Sequence, residues 1–219
     1  PGNYVQLKRN PDWWFGKSIG LPDMPYFDGY KVSVIPDSSV RLASLKAGTL
    51  DAITINPFQY KIVENDKKLD LRITPLNWMI WLMLNQAEGP CKDIRVRKAI
   101  SHAIDRKALI IGTQSGMGRE ASCIFPDTHW MHNPDLKPIS YDPELSKKLL
   151  AEAGYADDMT LKDVTANWPE AQASAEAITG MLEKVGIKWD VKFLSIAGMG
   201  KPFMNREYDM AGGMFQWIF

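Results

Sequence analysis

The stretch CKDIRVRKAISHAIDRKAL, residues 91–109, has a clear helical pattern, and two helices can be derived from it. Asp93 and Asp105 each stand where a carboxylate can accept the first free N–H groups of a helix. Between them, apolar residues recur at steps of three and four, which is the period of one helix face. These residues are Val96, Ala99, Ile100, Ala103 and Ile104. The stretch therefore predicts two consecutive helices that bury one apolar stripe.

The basic side chains of the same stretch raise the possibility of binding to nucleic acid or to a membrane surface. Arg95, Lys98, His102 and Arg106 fall on the side away from the apolar stripe. A nucleic-acid-binding surface needs many phosphate contacts, so its positive charge extends beyond one helix. The whole chain instead has 26 basic and 26 acidic residues, and its net charge is zero. We therefore expect a solvated charged face and no nucleic-acid partner.

Length and composition leave several general properties open. With 219 residues and 45% hydrophobic content, the chain can bury a core as one large domain or two smaller ones. The longest strongly apolar run, WMIWLML at 78–84, is far shorter than the roughly 20 residues of a membrane-spanning helix. The sequence starts without the basic and apolar regions of a signal peptide, so we expect either a cytosolic protein or one whose leader is absent from this sequence. Cys91 and Cys123 fit one disulfide and two free thiols equally well.

The pattern along the rest of the chain predicts an α/β fold. The segments 159–166 and 187–194 predict strands, and a helix from about Pro169 through Val185 separates them. A unit of this length normally joins two parallel strands. A further short strand is predicted at 50–55. The aromatic ending YDMAGGMFQWIF predicts a strand that stops in mid-fold, so we expect a fragment of a longer protein.

Motifs for catalysis or metal binding are incomplete throughout the sequence. His129 and His132 are three residues apart, but neither Cys nor a carboxylate stands at zinc-ligand spacing. The segment GMGKP at 198–202 fails as a phosphate loop, because Ser195 replaces the first glycine and Pro202 replaces the hydroxyl residue. We therefore predict that the protein is not an enzyme and has no metal site and no cofactor.

Aromatic residues and methionines are abundant, with 8 Trp, 8 Phe, 7 Tyr and 11 Met. Most of them must pack in a core, but several fall in loops or at strand ends. Large apolar pockets with few polar groups hold small ligands. The segment 118–140 predicts a loop longer than about 12–15 residues, a length typical of binding loops. This combination indicates a ligand-binding protein.

The order of the segments resembles that of a known family. The matching segments are YVQLKRNPDWWFG, YFDGYKVSVIPDSSVRLASLKAGTLDA, LMLNQAEGPCKDIRVRKAISHAIDRKALI, DPELSKKLLAEAGY, and EKVGIKWDV with YDMAGGMFQW. Together they resemble the extracellular solute-binding proteins of ABC importers, of the peptide/nickel/opine-binding family 5, and they cover nearly the whole chain. The resemblance implies the periplasmic-binding-protein-like fold of type II, cluster C, with mixed sheets flanked by helices and with two lobes that are incomplete here.

The resemblance also implies an organisation and a function. Residues 1–55 are expected to form part of the first lobe and the approach to the hinge, and residues 56–219 most of the second lobe. The expected role is capture of a solute, in the first place a peptide, outside the cytoplasmic membrane and its delivery to an ABC permease. The protein is expected to be a periplasmic monomer or a lipoprotein on the outer side of that membrane. The alternatives are a non-peptide solute (an opine, a sugar, glutathione or a nickel chelate) and a ligand sensor on the same fold.

By the same resemblance, the strand MAGGMFQW is expected to line the ligand cleft. Some peptide-binding relatives use an arginine of this strand for the ligand carboxylate, and residues 210–216 contain none. The predicted ligand-binding residues are Trp78, Phe125, Trp130, Gln216 and Trp217. Core packing is the alternative role for each of them.

Overall fold

The computed structural model describes residues 2–74, 78–156 and 158–216 of the chain. Packing divides the chain into two compact units, Pro1–Asn56 and Pro57–Phe219. Their assignment to a first and a second lobe stays a prediction.

The first unit contains a two-stranded antiparallel sheet and two helices. Its elements are β1 (Tyr4–Lys8), α1 (Phe15–Ser18), β2 (Gly29–Ser33) and α2 (Ser38–Lys46). Asp37 caps α2 by accepting the backbone N–H groups of Ser39 and Val40. The strand predicted at 50–55 is wrong, because the structure has no strand in that range. Alternating apolar residues form a strand only where a second strand supplies hydrogen bonds.

The second unit is a mixed sheet flanked by helices, which confirms the predicted α/β class. Its strands are β3 (Trp78–Leu84), β4 (Met159–Ala166), β5 (Ile187–Leu194) and β6 (Met210–Gln216). Its helices are α3 (Tyr60–Val63), α4 (Ile94–Ala103), α5 (Arg106–Gln114), α6 (Pro143–Glu152), α7 (Pro169–Glu183) and α8 (Ile196–Met204), with 3₁₀ turns at Pro57–Gln59 and Pro90–Lys92.

The strand order in this sheet is β3-β6-β4-β5. β4 runs parallel to both β5 and β6, whereas β6 runs antiparallel to β3. Helix α7 connects β4 to β5 and packs against both strands and β6. The predicted pair of parallel strands joined by a helix is confirmed.

The hydrophobic core lies between this sheet and helices α4, α6 and α7. The apolar stripe predicted from the opening stretch is buried along its whole length. Asp93 caps α4 by accepting the N–H of Arg95 at 2.8 Å, and Asp105 caps α5 by accepting the N–H of Ala108 at 3.0 Å. These hydrogen bonds confirm both predicted caps. The caps are predictable because the residues that form them lie within three residues of each helix start.

Helix α6 begins with a cap that provides a stability prediction. Asp142 accepts the backbone N–H of Leu145 at 2.9 Å, and Pro143 occupies the first turn. Asp142→Ala removes this acceptor, and we expect it to lower the free energy of unfolding by about 1 kcal/mol in urea titrations. Asp142→Asn keeps a capping oxygen and serves as the matched control. Equal stability of the alanine and asparagine variants would contradict the capping role.

Both cysteines are free thiols, which decides between the two alternatives that the sequence leaves open. Cys91 is completely buried, and desolvation, followed by the nearby negative charge of Asp209, raises its pKa to about 12. Cys123 is half-buried, and its thiol donates to the carbonyl oxygen of Phe125 at 3.2 Å. Among the helices that the structure describes, none has the length and apolar character needed to cross a membrane.

Candidate functional site

The candidate site lies along the side of the four-stranded sheet where its three parallel strands end. Because β4, β5 and β6 run parallel, their carboxyl ends at Ala166, Leu194 and Gln216 face the same way. β3 runs in the opposite direction, so its first residue, Trp78, pairs with Gln216 at this edge. We call these four strand ends the carboxyl edge. Ligands of open α/β sheets bind outside the carboxyl ends of parallel strands, which makes this edge the first candidate.

The connection from β4 to α7 adds polar and aromatic groups to the carboxyl edge. The backbone N–H of Asn167 donates to Leu194 O at 2.8 Å and ties the ends of β4 and β5 together. The Asn167 side-chain oxygen accepts from the amide of Gln172, one turn into α7. Trp168 stands at the cap position of α7 without a capping side-chain hydrogen bond. Both Asn167 and Trp168 were missed by the sequence reasoning, although the tripeptide NWP between a strand and a helix is a usable signal.

An apolar hollow of about 360 Å³ opens beside this edge, between α8 and the sheet. It is lined by Trp81, Met83, Ala166, Trp168, Ile196, Met199, Gly200, Phe203, Met204, Ala211 and Gly212. None of these side chains is charged, so the hollow favours apolar or aromatic groups over ions.

The loop at 118–140 contains no helix or strand in the structure, which confirms the prediction of a long loop. Within it, Phe125 stacks on His129 with 4.9 Å between ring centroids, and His129 stacks on Trp130 at 5.8 Å. His129 is buried, whereas Trp130 is 82% exposed. Phe125 and Trp130 therefore belong to one stack of aromatic rings with an exposed indole at one end.

The five predicted ligand-binding residues fall into separate places. Trp78 and Gln216 are cross-strand partners, and their side chains lie outside the described part of the structure. Trp217 lies outside the described residues altogether. Phe125 and Trp130 lie together in the loop. Ligand contact by each of the five stays a prediction.

The histidines of this loop have structural partners. The Nδ1 atom of His132 lies 2.9 Å from the carbonyl oxygen of Phe125 and 3.6 Å from Cys123 Sγ. The backbone N–H of Met131 donates to His129 Nδ1 at 3.1 Å. Within residues 2–74, 78–156 and 158–216, no group of three or more His, Cys, Asp or Glu residues is arranged to hold a metal ion.

A buried carboxyl group lies behind the carboxyl edge, on the face of β4 that contacts α7. Asp163 is 2% exposed and accepts a short hydrogen bond from the hydroxyl of Thr165. Burial raises the pKa of Asp163 to about 7, although the neighbouring Thr165 hydroxyl, Trp189 indole and Gly212 amide oppose the rise. Below that pH the carboxyl is predominantly uncharged.

Gly212 makes room for this pair of side chains. A Cβ atom at position 212 would lie 2.6 Å from Thr165 Oγ1, well inside contact distance. Thr165 and Gly212 are direct partners across β4 and β6. A side chain on β6 at this point would displace the hydroxyl that bonds Asp163, so the glycine is required by close approach.

Comparison with known proteins identifies the family that the order of the segments resembles. The family model described as "Bacterial extracellular solute-binding proteins, family 5 Middle" matches residues 1–218. Heme-binding protein A of Haemophilus influenzae is 29% identical over 219 residues, which cover 97% of this chain and 38% of that protein. The dipeptide-binding protein of Escherichia coli is 32% identical over 170 residues, which cover 75% of this chain and 32% of that protein.

A solved structure shows the same fold. The ABC transporter-associated periplasmic binding protein DppA from Helicobacter pylori, in complex with the peptide STSA, matches with a TM-score of 0.80 and 26% identity. The match covers 98% of this chain and 41% of that one, so the chain spans about two fifths or less of the length of these three relatives. The family and these three neighbours are binding proteins. Since the family model matches nearly the whole chain, this chain belongs to the bacterial extracellular solute-binding proteins of family 5.

Proposed function

We propose that this chain is part of the solute-binding component of an ABC importer, and that the whole protein captures a peptide and delivers it to a membrane permease. The observation that carries the proposal is the carboxyl edge, where Trp78 and Gln216 are paired beside the ends of three parallel strands. The family match over residues 1–218 supports the general role. The named peptide ligands of the relatives from Escherichia coli and Helicobacter pylori support the peptide class.

The mechanism that fits this role is hinge closure of a two-lobed protein around its ligand. A ligand that contacts both lobes binds the closed form more tightly and so shifts the population towards it. In this proposal residues 1–55 belong to the first lobe and residues 56–219 to the second. The whole protein acts as a monomer in the periplasm or as a lipoprotein on the outer side of the cytoplasmic membrane.

The chemistry of the carboxyl edge suits a peptide. The Asn167 side-chain amide has N–H donors beside the oxygen that accepts from Gln172, and such donors can bond the backbone carbonyls of an extended peptide. Trp168 and the apolar hollow supply the contact area that bulky side chains need. A peptide with large apolar side chains therefore matches the site better than a small polar sugar does.

The first experiment is native mass spectrometry on the full-length protein, purified gently from its own host. A series of peptide masses is the expected result. A single discrete mass would indicate that the ligand is a solute other than a peptide. Heme is one candidate to examine, because the relative from Haemophilus influenzae is named a heme-binding protein. A different outcome would favour a ligand sensor: the protein binds its ligand, but deletion of the cognate permease leaves uptake of that ligand unchanged.

Substitutions at the carboxyl edge test the location of the site. In the full-length protein, we expect Trp78→Ala to weaken binding of the identified peptide at least about tenfold, because aromatic anchors dominate binding energy at such sites. Gln216→Ala is expected to have a smaller effect in the same direction. Isothermal titration calorimetry measures both. Ile111→Ala, an exposed apolar position on α5, is the control, and an equal affinity loss in all three variants would reject this location.

A further inference from the structure

The two-stranded sheet of the first unit has one apolar face and one polar face. β1 and β2 run antiparallel, and their register pairs Val5 with Val32 and Leu7 with Tyr30. Residues directly opposed in such a pair share a face, and successive residues of a strand alternate between faces. These four residues therefore form one face, which we call the apolar face. The opposite face carries Tyr4, Gln6, Lys8, Gly29, Lys31 and Ser33.

The two faces differ in how well they tolerate water. On the polar face, the Nζ atom of Lys31 lies 4.5 Å from the ring centroid of Tyr4, in a cation–π contact. On the apolar face, the side chains are 44–59% exposed, namely Val5, Leu7, Tyr30 and Val32. An exposed apolar ribbon with open strand edges associates with other chains, so native proteins cover such a surface.

The first unit has too little core of its own to hold this sheet. Among residues 2–56, all of which the structure describes, only Gly16 and Leu42 are buried. A two-stranded sheet is at best marginally stable alone and needs further strands or a layer packed on its hydrophobic face. The apolar face therefore requires a covering layer that residues 2–56 do not supply.

We propose that, in the whole protein, this face is covered by an apolar layer from the part of the polypeptide outside these 219 residues. The chain spans 38% of heme-binding protein A and 41% of DppA, so well over half of a protein of that length lies outside it. The inference goes beyond the proposed function and does not depend on which solute is bound. Mass spectrometry that finds no peptide would reject the proposed solute and leave the covered face standing.

The chemistry and size of the apolar face favour this occupant over a separate partner. Transient interfaces are about as polar as the rest of a protein surface, whereas permanent contacts are more apolar. The only polar side-chain atom on this face is the Tyr30 hydroxyl oxygen, so the face suits a permanent contact better than docking to a permease. Stable dimers use about 20–30 residues a side, whereas this sheet consists of two strands of five residues, so a second copy would gain too little contact area.

Two tyrosines provide a matched test in the unaltered full-length protein. Tyr4 lies on the polar face and is 51% exposed, and Tyr30 lies on the apolar face and is 59% exposed in the present chain. Tetranitromethane nitrates accessible tyrosines, and mass spectrometry of peptides measures the rate at each. We expect Tyr30 to react at least about tenfold more slowly than Tyr4, because a covered ring is reached only through local opening. Equal rates would overturn the proposal.

Cysteine substitutions extend the test along both faces of β1 and β2. In the full-length protein, we expect maleimide to label Gln6→Cys and Lys31→Cys, and to leave Val5→Cys and Leu7→Cys unlabelled, as peptide mapping would show. Labelling of all four would show that the apolar face is open, and protection of all four would show cover on both faces. Protection of positions 5 and 7 that is lost on dilution would assign the face to a second copy. Protection that requires the permease would assign it to that partner. Each of these four outcomes would overturn the proposal.

Discussion

Leu182→Ala is expected to lower the free energy of unfolding by about 2–5 kcal/mol, because it removes a fully buried side chain and leaves a cavity. Leu182 lies on α7, the helix that covers the parallel strands, and it belongs to the main core cluster. The surrounding residues come from several elements, so the packing cannot collapse onto the vacated space by moving one side chain.

Urea titrations followed by circular dichroism measure this effect. Leu136→Ala is the control, because Leu136 is 46% exposed and its truncation is expected to change stability by less than about 0.5 kcal/mol. A loss below about 1 kcal/mol in Leu182→Ala would show that α7 does not pack on the sheet as described.

Asp163→Asn is expected to change the pH dependence of stability. The carboxyl pKa is about 7 in the folded chain and 3.8 as the ordinary value, so between these pH values the unfolded chain binds fewer protons. The contribution of Asp163 to stability is therefore fully present below about pH 4 and is lost as pH rises towards 7. A shift of this size corresponds to about 4 kcal/mol across the window, and asparagine, which does not titrate, removes the dependence.

Urea titrations of both proteins at several pH values between 4 and 7 measure the difference. Asp93→Asn is a useful control of opposite sign, because hydrogen bonds from Arg95 lower the pKa of Asp93 to about 2. Its contribution is present above about pH 4 and is lost as pH falls towards 2, outside the window for Asp163. Parallel stability profiles of the wild type and Asp163→Asn from pH 4 to 7 would contradict the prediction.

Local features of the fold were predictable from the sequence. The caps at Asp93 and Asp105 depend on atoms within three residues of each helix start, so the pattern contains all the information needed. The parallel pair of strands around α7 follows from the length of one connecting helix.

Long-range pairing was harder to predict. The position of β6 between β3 and β4 joins segments that are far apart in the chain, and neither segment encodes its neighbour. The strand predicted at 50–55 failed for the same reason, since a strand needs a partner that its own residues do not specify.

The candidate site was predictable only in part. Trp78 and Gln216 were named from resemblance, and their pairing at one edge follows from strand direction, which the sequence alone does not provide. The buried Asp163 was missed, yet it had a signal. It occupies an inward position in the alternation of Met159, Leu161 and Thr165, where a carboxylate is unusual in a buried strand.

The contrast between the two thiols makes this chain suitable for selective chemical labelling. Only the thiolate reacts with maleimides, and the buried Cys91, with a pKa of about 12, presents almost none of it at neutral pH. Cys123 is partly accessible and lies two residues before Phe125 in the loop that carries the aromatic stack. An environment-sensitive dye attached at Cys123 would thus report optically on events at that loop, and the native sequence already supplies the attachment point.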